Sequence, residues 1–314
     1  MNGQEALKKL TENIGKVIVG KEEVTALVFT ALLAEGHVLL EDVPGTGKTR
    51  LAKALATSLA VDFSRIQFTP DLLPADVTGL NVYDQGERKF VLHRGPVFTN
   101  ILLADEINRA TPRTQAGLLE CMEEKQVTID GVTYPLPVPF FVMATQNPVE
   151  TSGTFPLPEA QMDRFVMRLS MGLPAKKEEL AILDAYLEED PLQKLQAVFS
   201  AEELADLKEQ ARKVFVHPAV REYLVALVSA TRVEEKVMMG VSPRGTLAML
   251  RCIKAYALLQ GRDFCVPDDV KKLAVPVFAH RLVLHYGYSR PGETRQFIET
   301  ALNELPVPTE DFEK

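Results

Sequence analysis

Glu41–Thr49 reads EDVPGTGKT and lies between a short apolar run, His37–Glu41 (HVLLE), and a segment, Thr49–Leu59, in which Leu51, Leu55 and Leu59 recur at helical spacing. The small residues around Pro44, Gly45, Thr46 and Gly47 let backbone N–H groups curl around phosphate oxygens. The helix that follows adds its N-terminal amides and its positive dipole end to the same anion. In such a loop Lys48 reaches the β- and γ-phosphates, and the Thr49 hydroxyl ligates Mg2+. The general pattern, G-x-x-x-x-G-K-[ST], has glycine where this chain has Asp42. The strand ends at that position and aspartate tolerates turn geometry, so the departure is read as permitted.

Working outward, Phe63–Phe68, Ile101–Ala104, Phe140–Ala144 and Val166–Leu169 are further short apolar runs separated by helix-like segments. This alternation predicts a parallel sheet covered by helices, with strands buried on both faces. Ile101–Glu106 (ILLADE) ends one such strand 57 residues beyond Lys48, with room for a helix and an intervening strand. Phosphoryl transfer needs a carboxylate for the metal and a group that activates water. Asp105 is expected to bind Mg2+ and Glu106 to act as the base, which makes the pair of motifs that of an ATP- or GTP-hydrolysing protein rather than a simple kinase.

Three more polar residues stand where a hydrolase would use them. Asn147 ends the run FFVMATQN, where its amide would hold the water or the γ-phosphate; alone it reads as a turn residue before Pro148. Arg164, in Asp163-Arg164-Phe165, either pairs with Asp163 or points at a neighbour's nucleotide. Arg244 lies in the first turn of a helix opened by Ser242-Pro243. A cation there opposes the helix dipole at a cost of a few tenths of a kcal/mol, and an anionic partner would explain it.

Two segments interrupt the α/β rhythm. Asn81–Arg94 reads as two strands about Gln85-Gly86, and Val127–Leu136 as a hairpin turning at Asp130-Gly131. After Gly172-Leu173-Pro174 strands are expected to vanish. Lys177–Glu189 carries Leu180, Leu183 and Leu187 on one helical face, Ser200 with Glu203 forms a capping box, and Pro218 suits a first helical position. Gly261 is placed to end the Ser242-Pro243 helix. The predicted division is therefore an α/β domain over residues 1–172 and a helical domain over 173–314.

The 314 residues are 46% hydrophobic and 25% charged, the balance of an ordinary globular chain, and the formal charge of −8 argues against bulk DNA or anionic lipid as a partner. Cys121, Cys252 and Cys265 are odd in number and far apart, so no disulfide or zinc framework is expected and a reducing compartment, the cytoplasm, fits. The N-terminus lacks an apolar signal core, and no apolar run approaches the ~20 residues that span a bilayer. His37, His93, His217, His280 and His285 show no ligand pairing and read as satisfied core or surface residues. The acidic end after Pro308 (TEDFEK) reads as a frayed tail.

Glu41–Thr49, Ile66–Gly79 (IQFTPDLLPADVTG), Gly95–Arg109 (GPVFTNILLADEINR), Ala144–Pro148 (ATQNP), Glu159–Phe165 (EAQMDRF) and Ser242–Arg244 (SPR) together resemble the MoxR family of AAA+ ATPases. The resemblance implies an αβα nucleotide domain with a five-stranded parallel sheet, followed by an all-helical lid. It makes 81–94 the helix-2 insert and 127–136 the hairpin before the first sensor, features shared with magnesium-chelatase ATPase subunits, minichromosome-maintenance helicases and dynein. Matched position by position, Lys48 and Thr49 fall in Walker A, Asp105 and Glu106 in Walker B, Asn147 at sensor 1, Arg164 at the trans-acting arginine finger and Arg244 at sensor 2. Val19 and Gly20 resemble the segment that lies against adenine. The family further implies ATP and Mg2+ as ligands and a homo-oligomeric, hexameric ring. It also implies a protein client, with metal or cofactor insertion and a von Willebrand factor A partner as expectations. A nucleic-acid motor is the competing expectation. The 127–136 hairpin carries no Lys or Arg to grip phosphates, and in 81–94 Arg88 and Lys89 are balanced by Asp84 and Glu87. A slow nucleotide-gated scaffold is the third.

Overall fold

The computed structural model describes residues 1–148, 153–187, 189–285 and 292–313. Two helices open the chain, α1 (Gly3–Gly15) and α2 (Glu22–Leu33). Asn2 and Glu5 cap α1 reciprocally, as a capping box should. A Cβ on Gly3 would lie 2.1 Å from the Leu258 carbonyl oxygen, so only glycine lets the start of α1 approach the C-terminal helices this closely.

The alternating core follows: β1 (Val38–Glu41), α3 (Lys48–Ser58), β2 (Phe63–Gln67), α4 (Pro74–Thr78), the hairpin β3 (Gly79–Asp84) and β4 (Lys89–Arg94), β5 (Ile101–Asp105), α5 (Pro112–Glu124), the hairpin β6 (Gln126–Ile129) and β7 (Val132–Pro135), β8 (Phe141–Gln146), α6 (Glu159–Met162) and β9 (Met167–Leu169). Strands β2, β5, β8, β1 and β9 form one five-stranded parallel sheet in that order. Successive residues point to opposite faces; β1, β5 and β8 are buried on both, whereas the edge strand β2 departs from that expectation and exposes Arg65 and Gln67. Leu40, Leu103 and Met143 face a core shared with α1, α2, α3 and the C-terminal helices, whereas Leu39, Leu102 and Val142 face a second core under α5 and the β6–β7 hairpin. Both predicted hairpins form. Asp130 and Gly131 take positive φ of 49° and 79°, the geometry of a tight two-residue turn. Asn81 donates from Nδ2 to Asp130 Oδ2 at 2.8 Å, tying the two hairpins together.

The remainder runs through α7 (Lys176–Ala185), α8 (Ala201–Lys213), α9 (Pro218–Val233), β10 (Val237–Met239), α10 (Pro243–Leu259), α11 (Pro267–Phe278), β11 (Val283–Leu284) and α12 (Glu293–Glu304). The Ser200–Glu203 capping box and the Ser242 cap form as expected. Three expectations need correction. Strands do not vanish after residue 172, because β10 and β11 pair as a short antiparallel ribbon. The helix expected over 177–189 ends early: α7 stops at Ala185, so Leu187 lies beyond it, and Leu180, Leu183 and Leu187 are 54%, 61% and 79% exposed. Helical spacing identified a stripe but could not say what covers it. Nor is the C-terminal tail simply frayed, because the Phe312 ring packs edge-on against His217 with centroids 5.9 Å apart.

One buried charge pair joins sheet to helices. Arg281, 4% exposed, donates from Nε to Asp163 Oδ1 at 2.7 Å and also reaches the carbonyls of Phe165, Val166 and Val277. Removing one partner of such a pair costs about 3–5 kcal/mol, because the other is left charged and desolvated. Beside it, burial and the adjacent Arg281 hold His280 far below the ordinary histidine range.

His37 is likewise a satisfied core residue. Its Nδ1 accepts from the Val142 N–H at 3.0 Å, so Nε2 carries the proton and donates to the Met122 carbonyl at 3.0 Å. Burial pushes its pKa down to about 4. The unfolded chain then binds protons that the folded chain does not, so stability falls as pH drops from about 6.5 toward 4. Urea melts should show the unfolding free energy declining by up to about 1.4 kcal/mol per pH unit for each such histidine. A pH-independent value over that range would contradict the assignment.

Candidate active site

The loop between β1 and α3 builds the site. Gly45 and Gly47 have φ of 86° and 91°, which residues with a Cβ adopt only under strain, and Gly47 caps α3. The first amides of an eleven-residue helix therefore open onto a cavity of about 690 Å3. Pro44, Gly45, Thr46, Gly47, Lys48 and Thr49 all line it, together with Asp105, Glu106 and Asn147 from the ends of β5 and β8. Val19 lines it too, with Val17, Ile18, Pro174, Ile182 and Tyr186 as apolar company. Gly20 does not line the cavity; with φ of 71° it forms the adjoining turn.

Lys48 donates from Nζ to the carbonyls of Asp42 and Val43 at 2.8 and 3.3 Å, so its ammonium lies over the loop. Burial lowers its pKa from the ordinary lysine value, and the carboxylates of Asp42, Asp105 and Glu106 work against that shift. Asp105 accepts from Arg65 Nη2 at 2.7 Å and from Thr145 Oγ1 at 2.6 Å. Glu106 accepts from Gln67 Nε2 at 2.6 Å and pairs with Arg109 at 2.9 Å, and its backbone N–H donates to Thr145 Oγ1. Its φ of 56° is strained for a residue with a side chain, and these contacts hold it. Hard oxygen donors, the Thr49 hydroxyl and the Asp105 carboxylate, flank an anion-binding loop. That set suits Mg2+, which takes one or two protein oxygens beside phosphates.

Arg164 and Arg244 do not join this group. Neither lines the cavity. Arg164 is paired not with Asp163 but with Glu123, Nε to Oε2 at 3.2 Å, and Arg244 donates to the other oxygen of the same carboxylate. Asp163 is turned inward to Arg281 and accepts from Ser242 Oγ at 2.8 Å.

Sequence reasoning missed several residues. Gln67, Arg65 and Thr145 clamp the two acidic residues, yet each reads alone as a polar residue at a strand end. Asp42 does more than permit a turn: its buried carboxylate accepts from Ser170 Oγ at 2.6 Å and from the Met171 and Gly172 N–H groups at 2.7 and 3.0 Å. It thereby joins the phosphate loop to the segment leading into α7. The three cysteines are free and buried, with thiols pushed up to about 12, and are inert.

Known proteins resemble the chain over nearly its whole length. Residues 37–167 match the ATPase family associated with various cellular activities, and residues 229–303 match the AAA lid domain. The chain is 50% identical over 305 residues to YeaC of Bacillus subtilis, covering 97% of this chain and 95% of that one. It is 43% identical over 289 residues to the chaperone MoxR1 of Mycobacterium tuberculosis, covering 89% and 76%. With the MoxR protein of Methylorubrum extorquens identity is 30%, covering 97% and 96%. A crystal structure of a candidate ATPase from Cytophaga hutchinsonii superimposes with a TM-score of 0.89 at 38% identity, covering 98% and 96% of the two chains.

Asp42→Gly restores the general loop pattern but removes the acceptor of three hydrogen bonds. It should lower the unfolding free energy by about 3 kcal/mol in urea melts, since bonds to charged groups are the stronger kind. An unchanged midpoint would show that Asp42 serves only the turn.

Proposed function

The chain belongs to the MoxR family of AAA+ ATPases, and on that premise we propose that it is a Mg2+-dependent ATPase that assembles as a ring and remodels or matures a protein client in the cytoplasm. We take residues 1–172 as its nucleotide-binding unit and 173–314 as its lid. The reading rests chiefly on one observation: the cavity gathers the phosphate loop, Asp105, Glu106 and Asn147, while two arginines expected for the same chemistry stand outside it on a shared carboxylate.

In this reading the backbone amides about Gly45–Gly47 and the Lys48 ammonium bind the phosphates, and Val19 bounds the base. Thr49 and Asp105 would hold Mg2+, which would supply charge neutralisation beside the phosphates. Glu106 accepts a proton from the attacking water, and the Gln67 and Arg109 contacts orient its carboxylate. Asn147 holds the water or the γ-phosphate. The loop amides are in place before reaction, so little backbone reorganisation opposes the step, whereas Lys48 exchanges its bonds to the Asp42 and Val43 carbonyls for phosphate oxygens.

Arg164 and Arg244 then serve the nucleotide of an adjacent copy. A head-to-tail interface that closes on itself makes a ring, and the family suggests six copies. The exposed Leu180 and Leu183 lie on α7, the helix whose Ile182 lines the cavity, with Leu187 just beyond its end, and a second copy would cover them. The client is read as protein because the linked hairpins display Leu80, Val82, Tyr83, Phe90 and Val132, with Phe90 70% exposed. Lys89 is neutralised by Glu87 at 2.6 Å. A von Willebrand factor A partner and insertion of a metal or cofactor into the client rest on family membership. Strong stimulation of hydrolysis by single-stranded DNA would favour the motor reading instead.

Arg164→Ala should abolish turnover while nucleotide still binds, an effect of about 10³–10⁵ for arginine fingers in other hydrolases. Mixing it with Glu106→Gln should restore activity above either variant alone, because some interfaces then combine an intact base with an intact finger. Steady-state hydrolysis across mixing ratios measures this, and absence of recovery would count against the shared site.

A further inference from the structure

Glu123 and Arg244 each occupy a helix end of the wrong sign. Glu123 stands in the last turn of α5, where the dipole disfavours a carboxylate; that turn holds no basic residue, and Lys125 at the C-cap is paired with Glu35 instead. Arg244 stands in the first turn of α10, where a cation is disfavoured. Each misplaced charge is matched by the other, and Arg164 completes the group. Glu123 gives one oxygen to each guanidinium, Oε2 to Arg164 and Oε1 to Arg244. The three side chains remain 29–46% exposed, so the cluster sits at the surface.

The backbones beneath them are fastened as well. Asp163, next to Arg164, accepts from the hydroxyl of Ser242, two residues before Arg244, and is anchored by buried Arg281. Two guanidiniums brought this close repel each other, and each has several rotatable bonds to order. A single carboxylate between them removes the repulsion, fixes both tips and still leaves the group with a net positive charge.

We propose that Glu123 is a positioning residue that preassembles Arg164 and Arg244 into one two-pronged anion receptor, presented to the phosphates bound by an adjacent copy of the chain. The inference rests on the shared-site reading above. It adds that the two arginines act as a unit and that Glu123 belongs to the donating face of the interface, not to the cavity of its own subunit.

The test is hydrolysis by Glu123→Ala, with Glu123→Gln as a variant that keeps the side-chain volume and one acceptor oxygen. Thermal melts first establish that both fold. Glu123→Ala should lower kcat by about ten- to a hundredfold, the usual result of misplaced catalytic groups. KM for ATP should stay within about twofold, since binding within the cavity is untouched. Glu123→Gln should fall between Glu123→Ala and wild type. Mixing Glu123→Ala with Glu106→Gln should restore turnover, because the Glu106→Gln copy supplies an intact arginine face to the other's intact cavity. A purely structural role for Glu123 would give no recovery on mixing. If Arg164→Ala is rescued by Glu106→Gln but Glu123→Ala is not, or if Glu123→Ala turns over like wild type, this assignment is overturned while the shared site stands. If neither is rescued, the shared-site reading falls and takes this one with it.

Discussion

The salt bridge between Asp163 and Arg281 governs how the two halves of the molecule meet. Arg281 is delivered from beyond α11 into a place that excludes water, and the carbonyls of Phe165 and Val166, just before β9, and of Val277 in α11 accept its remaining N–H groups. A guanidinium desolvated this fully has few alternative positions, because any other arrangement strands a buried charge. The C-terminal helices are thereby held in register against the edge of the sheet. Ser242 hangs from the same carboxylate, so the start of α10 and the residue before Arg164 share one anchor.

The phosphate loop shows a related economy of design. Gly45 and Gly47 take the left-handed conformation freely, whereas the left-handed Glu106 beside the loop is held by Gln67 of β2 and Thr145 of β8. Asp42 connects this loop to residues 170–172 and so to the helix carrying Ile182 and Tyr186. A shift of the loop would therefore be felt at α7 through three hydrogen bonds rather than through a long chain of packing. Arg50 reinforces that side, with its guanidinium 4.7 Å from the Tyr186 ring centroid and an ion pair to Asp190 at 2.8 Å.

The surface divides by chemistry. The net charge of −8 is an average over faces that differ sharply. The linked hairpins carry aromatic and aliphatic side chains, including Tyr83 and Phe90 in edge contact with centroids 5.4 Å apart. The Glu123 cluster keeps a local positive charge within an acidic molecule. The exposed Leu180, Leu183 and Leu187, on and just beyond α7, belong to neither class, and burying them would contribute hydrophobic stabilisation.

What the amino-acid sequence determined alone was everything governed by neighbours along the chain. The glycine loop, the five strands of the sheet, the two hairpin turns and the helix caps all follow from local backbone preference, short apolar runs and helical spacing, and the structure has them, although the edge strand β2 is only partly buried. Walker-type residues were legible because their chemistry demands a strand–loop–helix in sequence. What only tertiary structure decided were pairings across long separations. Asp42 with Met171, Gln67 with Glu106, Asp163 with Arg281 and Glu123 with both Arg164 and Arg244 join residues 39 to 129 apart. Spacing could mark Arg244 as a cation at an unfavourable helix end, and Leu180, Leu183 and Leu187 as a stripe. It could not name the carboxylate that answers the one or show that the other stays uncovered, because a charge or an apolar face acquires its partner only when distant segments fold together.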